Sequence, residues 1–129
     1  MEPRSKLWLE SPEHGLSMSD YRVELLRAIR ETGSLAAAAG RMSLSYRRAW
    51  GKVRDLETNL GYRLVESAAG GRRGGGSHLT AEGEALVEEY GAFANEVREA
   101  IAAAYRRHFT PAGQPRRPAR RAAGPTDPS

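Results

Sequence analysis

The sequence predicts a mainly helical domain with one small β-hairpin, and three observations carry that prediction. Residues 34–57 read as two short helices joined by a tight connection. Residues 68–77 are a glycine-rich loop between two segments able to pair as strands. From Ala81 as far as Arg107, apolar residues recur at alternating steps of four and three, the mark of a long amphipathic helix.

Ser5 to Glu10 has the composition of a short strand and runs into a Ser-Pro-Glu-His-Gly turn. A first helix is expected from Asp20 to Thr32, burying Val23, Leu26 and Ile29 and stopping at Gly33, which tolerates the positive φ of a helix end. Ser34 is placed to cap the next helix by accepting a free backbone N–H. Four consecutive alanines give that helix a narrow side that another helix can cross closely. Met42 to Leu44 form the connection, and Ser45 caps the following helix, which ends at Gly61. Ala49, Val53, Leu56 and Leu60 fall on its buried stripe. Arg47, Gly51, Arg54 and Thr58 point the other way, with Arg48 and Lys52 on the flanks. Tyr46 and Trp50 border the stripe, and partial burial is expected of both.

Tyr62 to Glu66 alternates as a strand, and His78 and Leu79 can return beside it, leaving a loop tipped by Arg72 and Arg73. Thr80 is the expected cap of the last helix, Ala81 to Arg107. Leu86, Tyr90, Phe93, Val97, Ala100 and Ala104 form a heptad-like seam that Ile101 widens. So small a core cannot cover the whole of this helix. Part of the seam, with Tyr90, Phe93, Val97 and Ile101 at its centre, is therefore expected to meet a second copy; the alternative is a helix lying along its own domain. Thr110 to Ser129 holds five prolines and four arginines and is expected to be disordered, leaving residues 1–109 as the folded domain.

The chain has 129 residues and a formal charge of +4, unevenly spread. Between Ser45 and Arg73 seven basic residues face three acidic ones; between Ala81 and His108 six glutamates face three arginines. The first span suits a polyanion and the second would repel it. There is no cysteine, hence no disulfide or thiolate metal site, and no segment of signal or membrane-span character. A cytoplasmic protein without membrane contact is expected. The glycine loop lacks the Gly-Lys-Ser/Thr ending of a phosphate-binding P-loop, and no Ser-His-Asp spacing is legible. His14, His78 and His108 are scattered without other ligands at metal spacing. Neither an enzyme nor a cofactor is expected.

A helix-turn-helix followed by a two-stranded loop is the winged-helix plan, in which the second helix enters a DNA major groove and the wing reaches the backbone. The residues placed for double-stranded DNA are Ser45, Tyr46, Arg47, Arg48 and Lys52 on the helix, with Arg72 and Arg73 on the wing. Arg47 is best placed for a bidentate guanine contact, and the other cations for phosphates. The bland alternatives are a solvated basic helix face and a mobile linker.

The run from Gly33 to Gly83 resembles the DNA-binding domain of ModE-type molybdate-responsive regulators and, more distantly, the winged helix of LysR-type regulators. The matching residues are Glu-Thr-Gly-Ser-Leu-Ala-Ala-Ala-Ala at 31–39, Met-Ser-Leu-Ser-Tyr-Arg-Arg-Ala-Trp at 42–50 and Leu-Val-Glu at 64–66. More specific are Gly-Gly-Arg-Arg-Gly-Gly-Gly-Ser at 70–77 and Leu-Thr-Ala-Glu-Gly at 79–83. The LysR rhythm is present from Ser45 to Glu57 with Val53 in the isoleucine place. The resemblance implies a DNA-binding regulator, and with the seam of the last helix the reading is a transcription regulator that binds duplex DNA as a homodimer. The sequence departs from the family in lacking the molybdate-binding domains, which leaves a small-molecule or oxyanion effector open. Two other readings stay open: a protein-interaction module, and the DNA-binding half of a sensor whose ligand-binding subunit is a separate chain.

Overall fold

The computed structural model describes residues 1–67 and 76–118. The elements run β1 (Trp8–Ser11), β2 (Gly15–Ser19), α1 (Asp20–Thr32), α2 (Leu35–Arg41), α3 (Tyr46–Leu60), β3 (Val65–Ser67), β4 (Ser77–Leu79) and α4 (Ala81–His108). By chain contacts they divide into two compact units, Lys6–Ala94 and Met1–Ser5 with Asn95–Ser129.

In the larger unit each helix is delimited by the residue chemistry of its ends. Ser19, Ser34 and Ser45 accept backbone N–H groups of Arg22, Ala37 and Arg48 through their hydroxyl oxygens. Such caps are each worth about 1 kcal/mol. Gly33 and Gly61 close α1 and α3 in the left-handed conformation. The Met42–Leu44 connection carries Ser43 at φ 56, left-handed without the freedom of a glycine. Val23, Leu25, Leu26, Ala28 and Ile29 of α1 meet Leu35, Ala38 and Ala39 of α2 and Ala49, Val53 and Leu56 of α3 in one core. The core is a crossing of three helices made close by the alanines of α2.

Two features of the N-terminal segment differ from expectation. A second strand, β2, follows the Ser-Pro-Glu-His-Gly turn and pairs antiparallel with β1. Its Met18 is a core residue, 1% exposed. The hairpin is tied to the helices at several points. The Asp20 amide donates to the Leu7 carbonyl, the Leu7 amide donates to Asp20 Oδ2, and Asn59 Nδ2 donates to the Leu16 carbonyl at 2.7 Å.

The second hairpin pairs Val65 with Leu79 and Ser67 with Ser77, so its first strand begins three residues later than Tyr62. Glu57, near the end of α3, is a buried carboxylate that accepts the amides of Leu64 at 2.8 Å and Val65 at 3.2 Å. It thereby fixes the angle at which the chain leaves α3 for β3. Thr80 caps α4 as expected, accepting the Gly83 amide at 2.9 Å while donating to the Arg63 carbonyl. A Cβ at Gly83 would run into the Leu64 carbonyl oxygen, which explains the glycine in the Leu-Thr-Ala-Glu-Gly run.

The inward face of α4 in this unit is Gly83, Val87, Tyr90 and Ala94. That face shares only Tyr90 with the expected seam. Tyr90 is 3% exposed, and its hydroxyl lies 3.0 Å from both the Leu7 carbonyl oxygen and Asp20 Oδ1. It is therefore a core residue of its own domain, and its expected place in a dimer interface is corrected. Phe93 is 41% exposed, and Leu86 is half-buried.

In the smaller unit Val97 and Ile101 are half-buried. The disorder expected from Thr110 does not hold for residues 110–118. Thr110 and Gln114 close a turn, with the Thr110 amide donating to the Gln114 carbonyl at 2.8 Å. Phe109 bridges to Pro115, and its ring stacks on Tyr105 at 5.3 Å. The prolines here shape a turn that satisfies the carbonyls at the end of α4. Residues 119–129 lie outside the described residues.

Candidate nucleic-acid interface

The sequence of α3 puts its cations on the face the core leaves uncovered. Ala49, Val53 and Leu56 are fully buried, so Tyr46, Arg47, Arg48, Gly51, Arg54 and Thr58 are turned outward, and all are exposed. The first turn of α3 thus presents an aromatic ring and two guanidinium groups at a helix N-terminus, where backbone N–H groups and the helix dipole favour anions. Ser45 is engaged as the cap, its oxygen 3.1 Å from the Arg48 amide; its O–H remains a donor. Tyr46 is 58% exposed, so the partial burial expected of it is not found. Its position just after the cap directs the ring away from the core. Trp50 is half-buried against the core as expected, and the Arg54 guanidinium lies over its ring at 5.6 Å.

Lys52 sits on the flank of α3 facing α1, half-buried. Its ammonium lies 5.5 Å from the centre of the Tyr21 ring. Arg22 of α1 donates from Nη1 to the Lys52 carbonyl at 2.9 Å. Burial first, then the Arg22 and Arg48 cations, hold the Lys52 ammonium below the ordinary lysine value, with Asp55 opposing. Three cations from two helices therefore gather beside the outer face of α3, with an exposed tyrosine among them. Arg22 and Tyr21 were not expected at this surface, and Arg54, read on the outer face of α3, was not among the residues placed for DNA. Arg54 was legible from its seven-residue step after Arg47, one face of a helix. The approach of α1 to α3 depends on tertiary packing and left no local mark.

The expected wing cations Arg72 and Arg73 lie outside the described residues. The strands that carry their loop are in place. The Ser77 amide donates to the Gly33 carbonyl at 2.9 Å, so the returning strand is pinned to the link between α1 and α2. His78 and Glu66 pair across the strands at 3.4 Å on the exposed side. Among the described residues no group of His, Asp and Glu is arranged to hold a metal ion, and no helix is long and apolar enough to cross a membrane.

Comparison with known proteins agrees with this geometry. Residues 21–84 match the family described as bacterial regulatory helix-turn-helix protein, lysR family. The chain is 46% identical over 78 residues to the molybdenum-pterin-binding protein MopB of Rhodobacter capsulatus, covering 60% of this chain and 29% of that protein. It is 44% identical over 69 residues to the transcriptional regulator ModE of Yersinia pestis, covering 54% of this chain and 26% of that protein. Among solved structures, full-length CbnR complexed with its target DNA aligns with a TM-score of 0.51 and 29% identity, over 64% of this chain and 27% of that chain. The chain thus spans under a third of the length of these curated relatives.

Proposed function

We propose a function from the premise that residues 21–84 belong to the lysR family of bacterial regulatory helix-turn-helix proteins, as a DNA-binding domain of the ModE type. The chain is a transcription regulator that reads duplex DNA by inserting α3 into the major groove. Arg47 contacts a guanine, while Ser45, Tyr46, Arg48 and Lys52 set the helix against sugar and phosphate, and Arg72 and Arg73 reach the backbone from the wing. Arg22 and Tyr21 extend the phosphate-facing side onto α1. The observation that carries this reading is the uncovered face of α3. Its residues Tyr46, Arg47, Arg48, Gly51, Arg54 and Thr58 are all exposed and include three arginines.

Two copies act together, joined along the outward stripe of α4 that holds Phe93, Val97 and Ile101. A two-fold pair would place two copies of α3 on half-sites one helical turn apart or a multiple of it. A second reading is the DNA-binding half of a sensor whose ligand-binding subunit is a separate chain. An oxyanion or molybdenum-containing effector would then bind that other subunit.

Selection from a random-site duplex library tests the reading. A palindromic consensus is expected, and Arg47→Ala should relax the preference at one base pair per half-site at a cost of about 1–3 kcal/mol. Equal recovery of all sequences would make the chain a nonspecific binder and overturn it.

A further inference from the structure

The net charge of the chain does not reside in its reading head. The Lys6–Ala94 unit holds twelve basic and twelve acidic residues, whereas Met1–Ser5 with Asn95–Ser129 holds eight basic against four acidic. All of the formal charge of +4 therefore belongs to the smaller unit.

Within it, the last turn of α4 carries Arg106, Arg107 and His108, and the turn at residues 110–114 brings Arg116 and Arg117 back beside them. The Arg116 amide donates to the His108 carbonyl at 2.8 Å, and Arg116 Nε donates to the Arg106 carbonyl at 2.7 Å. Arg116 thereby serves as a helix C-cap, a structural role cations commonly fill. That account does not extend to Arg107 and Arg117. Both are exposed, and among the described residues neither guanidinium has a hydrogen bond or an ion pair. Arg107, His108, Arg116 and Arg117, with Phe109 and Pro115, line one depression of about 560 Å³. Among the described residues no carboxylate lines it. Cations gathered around one depression repel one another unless an anion is shared between them.

We propose that this depression is a second, sequence-independent contact for the phosphate backbone of duplex DNA. The proposal rests on the reading of the chain as a DNA-binding regulator. Arginine forks suit phosphate oxygens, and a larger unit of zero formal charge leaves long-range attraction to the polyanion to this end of the chain. Arg107 and Arg117 raise affinity for every duplex alike and contribute nothing to the choice of site.

The test compares the full chain with its Arg107→Gln/Arg117→Gln variant, using a random-sequence duplex of about 40 base pairs and the duplex recovered by selection. Each phosphate contact contributes about 0.9 to the slope of log affinity against log salt. The variant should lose up to about 1.8 of slope on both duplexes, keep its preference between them, and melt at the wild-type temperature. An unchanged slope in a variant of wild-type stability overturns the proposal. If the variant melts early, Arg117→Lys decides, because it retains charge: it should restore the slope of Arg117→Gln, and failure to do so refutes the contact. Inorganic phosphate or pyrophosphate bound tightly by wild type alone, with duplex slopes equal, would make this a small-anion site. Capture of an acidic protein with equal slopes would make it a protein contact. Failure of the recognition reading looks different: the wild type itself would show no preference between the duplexes, whatever Arg107 and Arg117 do.

Discussion

Ser43 and Lys52 both hold conformations or charges that the fold alone does not favour. Ser43 adopts φ 56 in the connection between α2 and α3, where a residue with a Cβ pays roughly 1–2 kcal/mol. Ser43→Gly should raise stability by about 0.5–1 kcal/mol in chemical denaturation, the gain reduced by the greater unfolded-state freedom of glycine. Lys52 has its folded-state pKa lowered below 10.5. The folded chain therefore gives up this proton more readily than the unfolded chain. The destabilisation is fully present at neutral pH and is relieved as pH rises through the window just below 10.5. Lys52→Gln should accordingly leave the melting temperature at pH 7 unchanged or raised. At the same time it should weaken duplex binding and lower the salt slope by about 0.9. A variant that melts well below wild type would show that Lys52 serves the fold through its contact with Tyr21 and not the ligand.

Among the elements, the turn from α3 into β3 depends most on a single buried group. Glu57 accepts two amides there and has the Arg63 Nε 3.5 Å away. Glu57→Ala leaves the Leu64 and Val65 amides without partners and should cost about 2–4 kcal/mol, read from urea titration. Gly83→Ala drives a methyl group toward the Leu64 carbonyl and should cost about 1–3 kcal/mol by the same measure. The ends of α1, α2 and α3 were legible in the sequence because capping is local: a serine or glycine at a boundary acts within four residues. β2 was not, because Gly-Leu-Ser-Met-Ser contains no β-branched residue, and its burial comes from the helices it meets. The face of α4 buried in its own domain was legible only at Tyr90, for a related reason. Gly83 and Ala94 carry little hydropathy, so the large residues Leu86 and Phe93 drew the seam onto the adjacent stripe. Small residues mark the closest packing and are the weakest signal of it. The outer face of α3 was legible as a surface, while the contribution of Arg22 and Tyr21 required knowing how α1 lies against it.

At the scale of the whole molecule, the uncovered stripe of α4 bears the claim of a homodimer. Phe93 is 41% exposed within one copy, so Phe93→Asp should leave each domain folded with an unchanged helical signal. Sedimentation should then show the variant as a monomer and the wild type as a dimer at about 10 μM, with operator affinity lost by the variant in parallel. A wild type that sediments as a monomer yet binds its operator tightly would refute the pairing without touching the recognition surface.

The recognition surface itself is open to direct mapping, because the sequence contains no cysteine. Gly51 lies at the centre of the outer face of α3, and a Cβ there meets nothing within 4 Å. Gly51→Cys can therefore carry an iron chelate that cuts DNA wherever α3 lies. Bound to the selected duplex, it should cut in one short cluster per half-site, the two clusters about 10 base pairs apart or a multiple of that spacing. Cleavage scattered along the duplex, or confined to sequence outside the selected site, would contradict the placement of α3 in the major groove.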